Sequence, residues 1–170
     1  MSESISRARK KIADPALHII LYEPEIPANT GNIARLCAAA ELPLHLIHPL
    51  GFKTDDRHLK RAGLDYWSEV EVHEHRDFPA FTAFWRNLSP TPPPLIALSA
   101  RATENYNRCP VQQRGLGLLF GPETRGLPPE LAGGAYPAFR IPMSGRVRSL
   151  NLSTAVGIVA YHFLERLQVF

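Results

Sequence analysis

Cysteine is scarce in this sequence: Cys37 and Cys109 are its only two, and they form neither a CxxC pair nor a disulfide framework. Such usage is typical of proteins kept in a reducing cytoplasm. Long apolar runs are absent as well, because none approaches the roughly 18–20 residues that a membrane-spanning helix requires. The segment from Met1 to Lys11 is polar and basic, without the apolar stretch of a secretory signal. We therefore expect a cytoplasmic protein with no membrane segment.

The sequence also lacks several well-known catalytic and ligand-binding motifs. No GKS or GKT is present to complete a P-loop, and no GxSxG marks the nucleophile of a hydrolase. The glycines of GLGLLFG lie within a predicted strand, so they do not form the GxGxxG turn of a dinucleotide site. The pairs His45/His48 and His73/His75 have no companion cysteines or ordered carboxylates, so we expect no metal site.

Charge of either sign is moderate, and the balance is only mildly basic. The 170 residues include 19 Lys and Arg against 16 Asp and Glu, a net charge of +3. This excess permits a nucleic-acid partner without requiring one. The chain length and a hydrophobic fraction of 45% favour one globular domain. We expect residues 1–16 to form a flexible basic extension and residues 17–170 to form the domain.

Short apolar runs alternate along the chain with segments of helical periodicity. The predicted strands are 17–24, 44–48, 70–73, 95–99, 115–121 and 139–143. The predicted helices begin at Asn29 or Thr30, acting as the cap, and then cover 55–62, 78–88 and 150–169. This alternation predicts an α/β fold with a mostly parallel sheet and helices on both of its faces.

The last predicted helix is apolar on more than one side. Its main stripe includes Val156 and Phe163, whereas Ile158 and Tyr161 lie well away from that stripe. A helix with two apolar sides usually packs against the core on one side and against a partner on the other. We therefore expect a homodimer, with a wide-faced core helix as the alternative.

Three segments combine loop residues with side chains that could bind a ligand. PANTGNIAR follows the first strand and offers a helix N-terminus, with Arg35 pointing away from the apolar stripe. FGPETRGLP carries Glu123, which is either an acid or base or an acceptor that shapes the loop. SGRVRSLNLS places Arg146 and Arg148, which suit phosphate contact, beside Ser and Asn residues that suit a helix cap. Each segment is also compatible with a purely structural role.

Taken in order, NTGNIARLC, FGPETRGLP and IPMSGRVRSLNLSTAVGIV resemble the three motifs of the SpoU branch of the SPOUT RNA 2′-O-methyltransferases. LYEPEIPANTGNIARLCAA and LKRAGLDYW are similar to the small single-domain enzymes of this branch, which methylate the wobble ribose (position 34) of tRNA. The resemblance extends from about Leu17 to the C-terminus. It implies methyl transfer from S-adenosyl-L-methionine to a cytidine or uridine of leucine isoacceptors. It also implies an obligate homodimer and a parallel sheet with a C-terminal deep trefoil knot.

The resemblance further implies roles for individual residues. The positions that match the catalytic centre are Arg35, Glu123 and Asn151, with Ser149 beside them. The positions that match the cofactor pocket are Leu98, Gly121, Ile141, Met143, Ser149 and Leu150. RNA contacts are expected from Asn29, Arg125, Arg146 and Arg148.

Arg35 matches the residue to which the family's mechanism often assigns removal of the hydroxyl proton. A guanidinium stays protonated to above about pH 12, so we expect Arg35 to hold the ribose and an adjacent phosphate instead. A phosphate or a water would then take the proton. Two other functions stay open: an rRNA 2′-O-methyltransferase of the same branch, and a noncatalytic RNA-binding protein with this fold. The intact motifs favour an enzyme, and the lack of a separate RNA-binding domain favours tRNA.

Overall fold

The computed structural model describes residues 14–54, 66–110 and 114–170, and the strands in these ranges form one seven-stranded sheet. The strands are β1 (Leu17–Tyr22), β2 (Leu44–Ile47), β3 (Val72–His75), β4 (Leu95–Leu98), β5 (Glu104–Asn105), β6 (Leu116–Phe120) and β7 (Ala138–Arg140). Their order is β3-β2-β1-β6-β4-β7-β5, and every pairing is parallel. The α-helices of these ranges are α1 (Pro27–Ala40), α2 (Phe78–Arg86) and α3 (Leu152–Arg166). The predicted α/β fold with a parallel sheet is confirmed.

The sheet is buried on both faces. Successive side chains of a strand point to opposite faces, and in the central strands the side chains on both faces are mostly apolar. In β1, Leu17 and Ile19 belong to the core beneath α1 and α3, whereas Ile20 belongs to the core beneath α2. A strand buried on both faces has a nearly continuous apolar sequence, as LHIILY does. Helices therefore cover both faces of the sheet, as expected.

Helices α1 and α3 pack against each other on the first of these faces. Ile33 of α1 lies in the same buried cluster as Val156 and Phe163 of α3. The helices approach closely at Gly157, where an added Cβ would lie 3.6 Å from Cδ1 of Leu36. The first turn of α1 and the start of α3 also meet, because Nδ2 of Asn151 donates to Oδ1 of Asn29 at 2.9 Å.

Beneath α2 lies a row of histidines, defined here as His18, His45 and His75. The row crosses β1, β2 and β3, with 3.0 Å between His18 Nδ1 and His45 Nε2 and 3.1 Å between His45 Nδ1 and His75 Nε2. Phe81 and Trp85 of α2 pack edge-on against its rings. Burial lowers the pKa of His18 and His75 to about 4, and it lowers the pKa of His45 well below the usual value. The row is therefore neutral at pH 7.

Helix α1 begins before the predicted capping residues. Its N-cap residue is Ile26, which makes no side-chain capping bond, and Pro27 occupies the first turn. Proline suits that position because it has no N–H group to leave unpaired there, and its fixed φ matches the helix. The prediction that Asn29 or Thr30 caps this helix is therefore wrong. Asn29 lies inside the helix, and its side chain bonds to residues of other segments.

Strands β3 and β5 also differ from the prediction. β3 begins two residues later than the predicted 70–73, because Trp67–Glu69 form a 3₁₀ helix that ends at Val70. β5 was not predicted, since two polar residues carry no apolar alternation. The predicted helix 55–62 and residues 1–13 of the predicted extension lie outside the described residues.

The last two helices are shorter than predicted. α2 ends at Arg86, two residues early. α3 begins only at Leu152, because Asn151 caps it: the Asn151 side chain accepts from the backbone N–H groups of Ser153 and Thr154. Across the described ranges, no helix has both the length and the apolar character to cross a membrane.

The residues just before the expected start of the domain already contact it. Nε of Arg114 donates to Oδ2 of Asp14 at 3.1 Å, and the N–H of Gly115 donates to the carbonyl of Ala16 at 2.9 Å. Ala16 itself is buried in the core. These bonds tie the chain before β1 to the chain before β6, its neighbour in the sheet.

Candidate active site

A cavity of about 470 Å³ opens where the carboxyl ends of β1, β4, β6 and β7 meet. In parallel sheets, ligands bind at this edge, and a volume of roughly 300–1,000 Å³ is usual for a small-molecule site. The six residues predicted to hold the cofactor all line it: Leu98, Gly121, Ile141, Met143, Ser149 and Leu150. Of the other predicted site residues, the structure places these along the same cavity: Asn29, Glu123, Arg125, Arg148 and Asn151.

Glu123 is the centre of a hydrogen-bond network beside the cavity. Its Oε2 accepts from the backbone N–H of Glu25 at 2.8 Å. Its Oε1 accepts from the backbone N–H of Ile26 at 3.1 Å and from Nδ2 of Asn29 at 3.0 Å. A carboxylate already engaged by three N–H donors is poorly placed to abstract a proton. This geometry favours the loop-shaping role of Glu123 over an acid–base role.

Asn29 extends the network from Glu123 to the start of α3. Because its Nδ2 donates to Glu123, its Oδ1 is the acceptor that receives Nδ2 of Asn151 at 2.9 Å. Oδ1 of Asn151 in turn accepts from the backbone N–H and the hydroxyl of Ser153, at 3.0 and 2.7 Å. The orientation of both amides is thereby fixed. These bonds join PANTGNIAR, FGPETRGLP and SGRVRSLNLS into one connected unit.

A second set of contacts joins residues 23–25 to residues 124–125. Oε2 of Glu25 accepts from the backbone N–H of Thr124, and Oε1 accepts from the Thr124 hydroxyl, each at 2.9 Å. The guanidinium of Arg125 pairs with Glu23 and lies 3.7 Å from Oε1 of Glu25. Two carboxylates therefore balance the positive charge of Arg125.

Gly121 allows the loop after β6 to fold back on itself. A Cβ at this position would lie 2.2 Å from the backbone N of Leu127 and 2.4 Å from the carbonyl carbon of Gly126. The turn is closed by the N–H of Gly126, which donates to the carbonyl of Pro122 at 2.9 Å. No side chain can fit at position 121 unless this backbone moves. The cavity wall here therefore consists of closely spaced backbone groups.

Two of the predicted site residues, Arg35 and Arg146, do not line the cavity. Arg35 lies on the exposed side of α1, as predicted, and its guanidinium carbon is 4.8 Å from the ring centre of Tyr66. This cation–π contact holds the guanidinium outside the network of Glu123 and Asn151. Arg146 is exposed in the loop that leads to Arg148.

Several lining residues were not predicted. They include Ile26, Ser99, Arg101, Thr124, Leu127 and Phe139. Arg101 Nη2 also donates to the carbonyl of Arg125 at 3.4 Å, which joins the loops after β4 and β6. Their positions could have been inferred from the strands, because each lies within a few residues of a strand's carboxyl end or in a loop that follows one.

The side chains of the described residues that could bind a metal or act as a nucleophile are dispersed, buried or already engaged. Among the described residues, no group of three His, Cys, Asp or Glu side chains has the geometry of a metal site. Cys37 lies in the core, and burial raises the pKa of its thiol. The side-chain acceptors of Glu123, Asn29 and Asn151 are already engaged.

Comparison with known proteins gives concordant matches. A family model described as the SpoU rRNA Methylase family matches residues 16–161. The tRNA (cytidine(34)-2′-O)-methyltransferase of Yersinia pestis is 47% identical over 154 residues, which cover 89% of this chain and 94% of that protein. A solved structure described as "Structural insights into the 2-OH methylation of C/U34 on tRNA" is 45% identical with a TM-score of 0.82, covering 93% of this chain and 100% of that one. The AdoMet-bound rRNA methyltransferase of Sinorhizobium meliloti is 25% identical with a TM-score of 0.79, covering 91% of this chain and 58% of that one.

Proposed function

The chain belongs to the SpoU methylase family, and from this premise we propose that it is a tRNA 2′-O-methyltransferase. The enzyme transfers the methyl group of S-adenosyl-L-methionine to the ribose 2′-oxygen of nucleotide 34, a cytidine or a uridine. Its residues align with nearly the full length of the relatives that bear this name. Leucine isoacceptors are the proposed substrates.

The composition of the cavity is the observation that carries the proposal. S-adenosylmethionine has an adenosine and a cationic sulfur but no phosphate, so it needs apolar walls and backbone hydrogen-bonding groups. Leu98, Ile141 and Leu150 supply apolar surface, and the tight turn at Gly121 presents backbone groups. The residues present therefore fit this cofactor. When bound, it supplies a methyl group that the positive sulfur has already activated for displacement.

The chain's own contribution is to orient the reacting groups. Glu123, Asn29 and Asn151 hold the ends of α1 and α3 against the loop after β6, so the two sides of the cavity keep a fixed spacing. Holding two reactants in line can supply much of a rate enhancement for such a displacement. Removal of the hydroxyl proton is assigned to a water or an RNA phosphate, because these three side chains are already bonded.

The arginines at and near the mouth of the cavity are the proposed RNA contacts. Within the described residues, Arg101, Arg146 and Arg148 form no ion pair, so their guanidinium groups are available to phosphates. Arg125 differs, because Glu23 and Glu25 balance its charge. Arg35 approaches the RNA from the exposed side of α1 and holds the target ribose with its neighbouring phosphate.

We also propose that the enzyme works as a homodimer whose C-terminal segment forms a deep trefoil knot. Ile158 and Tyr161 support the dimer, since they lie exposed on α3, and Tyr161 stacks on the exposed ring of Phe170. The placement of β6 between β1 and β4, followed by the return of α3 to α1, is compatible with the knot. A tRNA substrate places the enzyme in the cytoplasm.

A ribosomal RNA substrate is the second candidate, because the family model that matches residues 16–161 is described as the SpoU rRNA Methylase family. The tRNA substrate is preferred, since the Yersinia pestis tRNA enzyme is 47% identical to this chain and the Sinorhizobium meliloti rRNA enzyme is only 25% identical.

The proposal is tested with purified protein, labelled S-adenosylmethionine and tRNA transcripts. We expect methyl incorporation into leucine tRNAs and none into the same transcripts carrying 2′-deoxyribose at nucleotide 34, since only the acceptor oxygen is removed. Nucleoside mass spectrometry of tRNA from cells that lack the gene should show loss of 2′-O-methylation at that position. Methylation of ribosomal RNA alone, or of no RNA, would reject the assignment.

A further inference from the structure

The loop formed by residues 121–127 contributes every one of its residues to the cavity wall. Its conformation therefore sets the shape of the site. The sharp turn at Gly121 fixes where the loop begins, and the bond from Gly126 to Pro122 closes it. The middle of the loop, at Glu123 and Thr124, is held by bonds to the segment that follows β1.

Hydrogen bonds run in both directions between Glu25 and the adjacent residues Glu123 and Thr124. The carboxylate of Glu123 receives the backbone N–H of Glu25, and the carboxylate of Glu25 receives the backbone N–H of Thr124. The hydroxyl of Thr124 adds a further bond to Glu25 at 2.9 Å. We call these contacts the Glu25–Glu123 clasp. The clasp connects segments almost 100 residues apart in sequence, and the Glu25 side chain is only 27% exposed.

Glu25 does not itself line the cavity, so its effect must pass through the residues that it holds. Without its carboxylate, the N–H and hydroxyl of Thr124 would lose the hydrogen bonds that they make to Glu25. The centre of the 121–127 loop would then gain conformational freedom, which cofactor binding would have to remove.

We propose that Glu25 is a positioning residue of the methyl-transfer site, which holds Thr124 and thereby keeps the 121–127 loop in its cofactor-binding conformation. This inference rests on the proposed function, because it takes S-adenosylmethionine as the ligand of the cavity. The required interaction is a pair of hydrogen bonds to the N–H and the hydroxyl of Thr124, not negative charge as such. A side chain of the same length with a neutral amide therefore preserves most of it.

The test compares Glu25→Ala, Glu25→Asp and Glu25→Gln, using calorimetric titration with S-adenosylmethionine. Ala removes both acceptors, and Asp is one methylene too short to keep the 2.9 Å contacts. Both should weaken binding by about tenfold or more, the scale of one or two hydrogen bonds. Gln offers an oxygen to the Thr124 N–H and an NH₂ to its hydroxyl, so its affinity should stay within about threefold of wild type.

Glu23→Ala is the matched control, because Glu23 pairs with Arg125 but makes no bond to Thr124. It should leave cofactor affinity nearly unchanged. Thermal unfolding without cofactor shows whether a loss of affinity is caused by misfolding. If Glu25 only positions the loop, Glu25→Ala should unfold as cooperatively as Glu23→Ala. Thr124→Ala combined with Glu25→Ala should weaken binding by less than the product of the two single effects.

Near-wild-type affinity of Glu25→Ala would overturn the inference. So would equal losses in Glu25→Gln and Glu23→Ala, since these would show that charge next to Arg125 is what matters. Failure of the proposed function gives a different result: the wild-type protein would then bind no S-adenosylmethionine, or bind it without methylating tRNA.

Discussion

Arg35 is expected to contribute to methyl transfer but not to cofactor binding. It lies outside the cofactor cavity, with its guanidinium over Tyr66. We expect Arg35→Ala to leave cofactor affinity nearly intact, because no cavity wall is altered. Methyl transfer to tRNA should fall by at least about 100-fold, the scale for losing a positioned charged group at a reacting centre. Calorimetry and single-turnover methylation measure the two effects separately.

Arg35→Lys is the informative companion to that variant. A lysine keeps the charge but lacks the planar, forked donor set that can contact ribose and phosphate together. It should therefore fail to restore the rate. Near-normal turnover of Arg35→Ala with saturating RNA would show that Arg35 is only a surface residue of α1.

Gly121 gives the opposite pattern of effects. Gly121→Leu should abolish cofactor binding in calorimetry, because a Cβ would lie 2.2 Å from the backbone N of Leu127. Gly121→Ala introduces the same Cβ without the larger side chain, so it should weaken binding less. Gly157→Ala is the control, since its Cβ would make an ordinary 3.6 Å contact with Leu36 and alanine favours a helix. Cofactor affinity of Gly121→Leu equal to that of the control would remove the loop after β6 from the binding site.

At the scale of elements, the histidine row beneath α2 predicts sensitivity to acid. Burial lowers the pKa of His18 and His75 from about 6.5 to about 4, so the unfolded chain binds more protons than the folded one between these pH values. The stabilisation is complete above pH 6.5 and is lost as the pH falls toward 4. Each histidine contributes a slope of up to about 1.4 kcal/mol per pH unit to the free energy of unfolding.

Urea unfolding at pH 7, 6 and 5 measures this slope. Ala83→Gln is the control, because position 83 is exposed on α2 and the change adds no titratable group. It should leave the pH dependence unchanged. A free energy of unfolding that does not change between pH 7 and pH 5 would show that the row accepts protons without loss of packing.

The elements that the sequence predicted well are the short, dense apolar runs. LHIILY, LIAL and GLGLLF are dense in apolar residues, and each forms a buried strand of the sheet. Boundaries were less certain, because they depend on single residues: Pro27 starts α1 early, and Asn151 delays α3. The cofactor residues were predicted from motif resemblance, and they do line one cavity. The clasp could not be predicted, because it joins two carboxylates to backbone groups that only the sheet order brings together.

For the whole molecule, the exposed side of α3 predicts the oligomeric state. Ile158→Asp or Tyr161→Asp should produce monomer or aggregate in sedimentation experiments, since a charge would enter an apolar contact between two copies. Ala83→Glu, at an exposed position of α2 on the other face of the sheet, should not change the sedimentation of wild-type protein. A monomeric wild type would reject the dimer, and an unaffected dimer of both α3 variants would place the interface elsewhere.

The contacts that build the site are among the most distant along the chain. Glu25 and Glu123 are 98 residues apart, and Asn29 and Asn151 are 122 apart. Contacts of this kind raise the contact order, and they form only after the entropy of closing a long loop has been overcome. During synthesis, the first three strands can pair before any wall of the cavity from residues 120–127 exists. Cofactor binding should therefore be one of the last properties that the nascent chain acquires, so S-adenosylmethionine stabilises the finished fold without guiding its early steps.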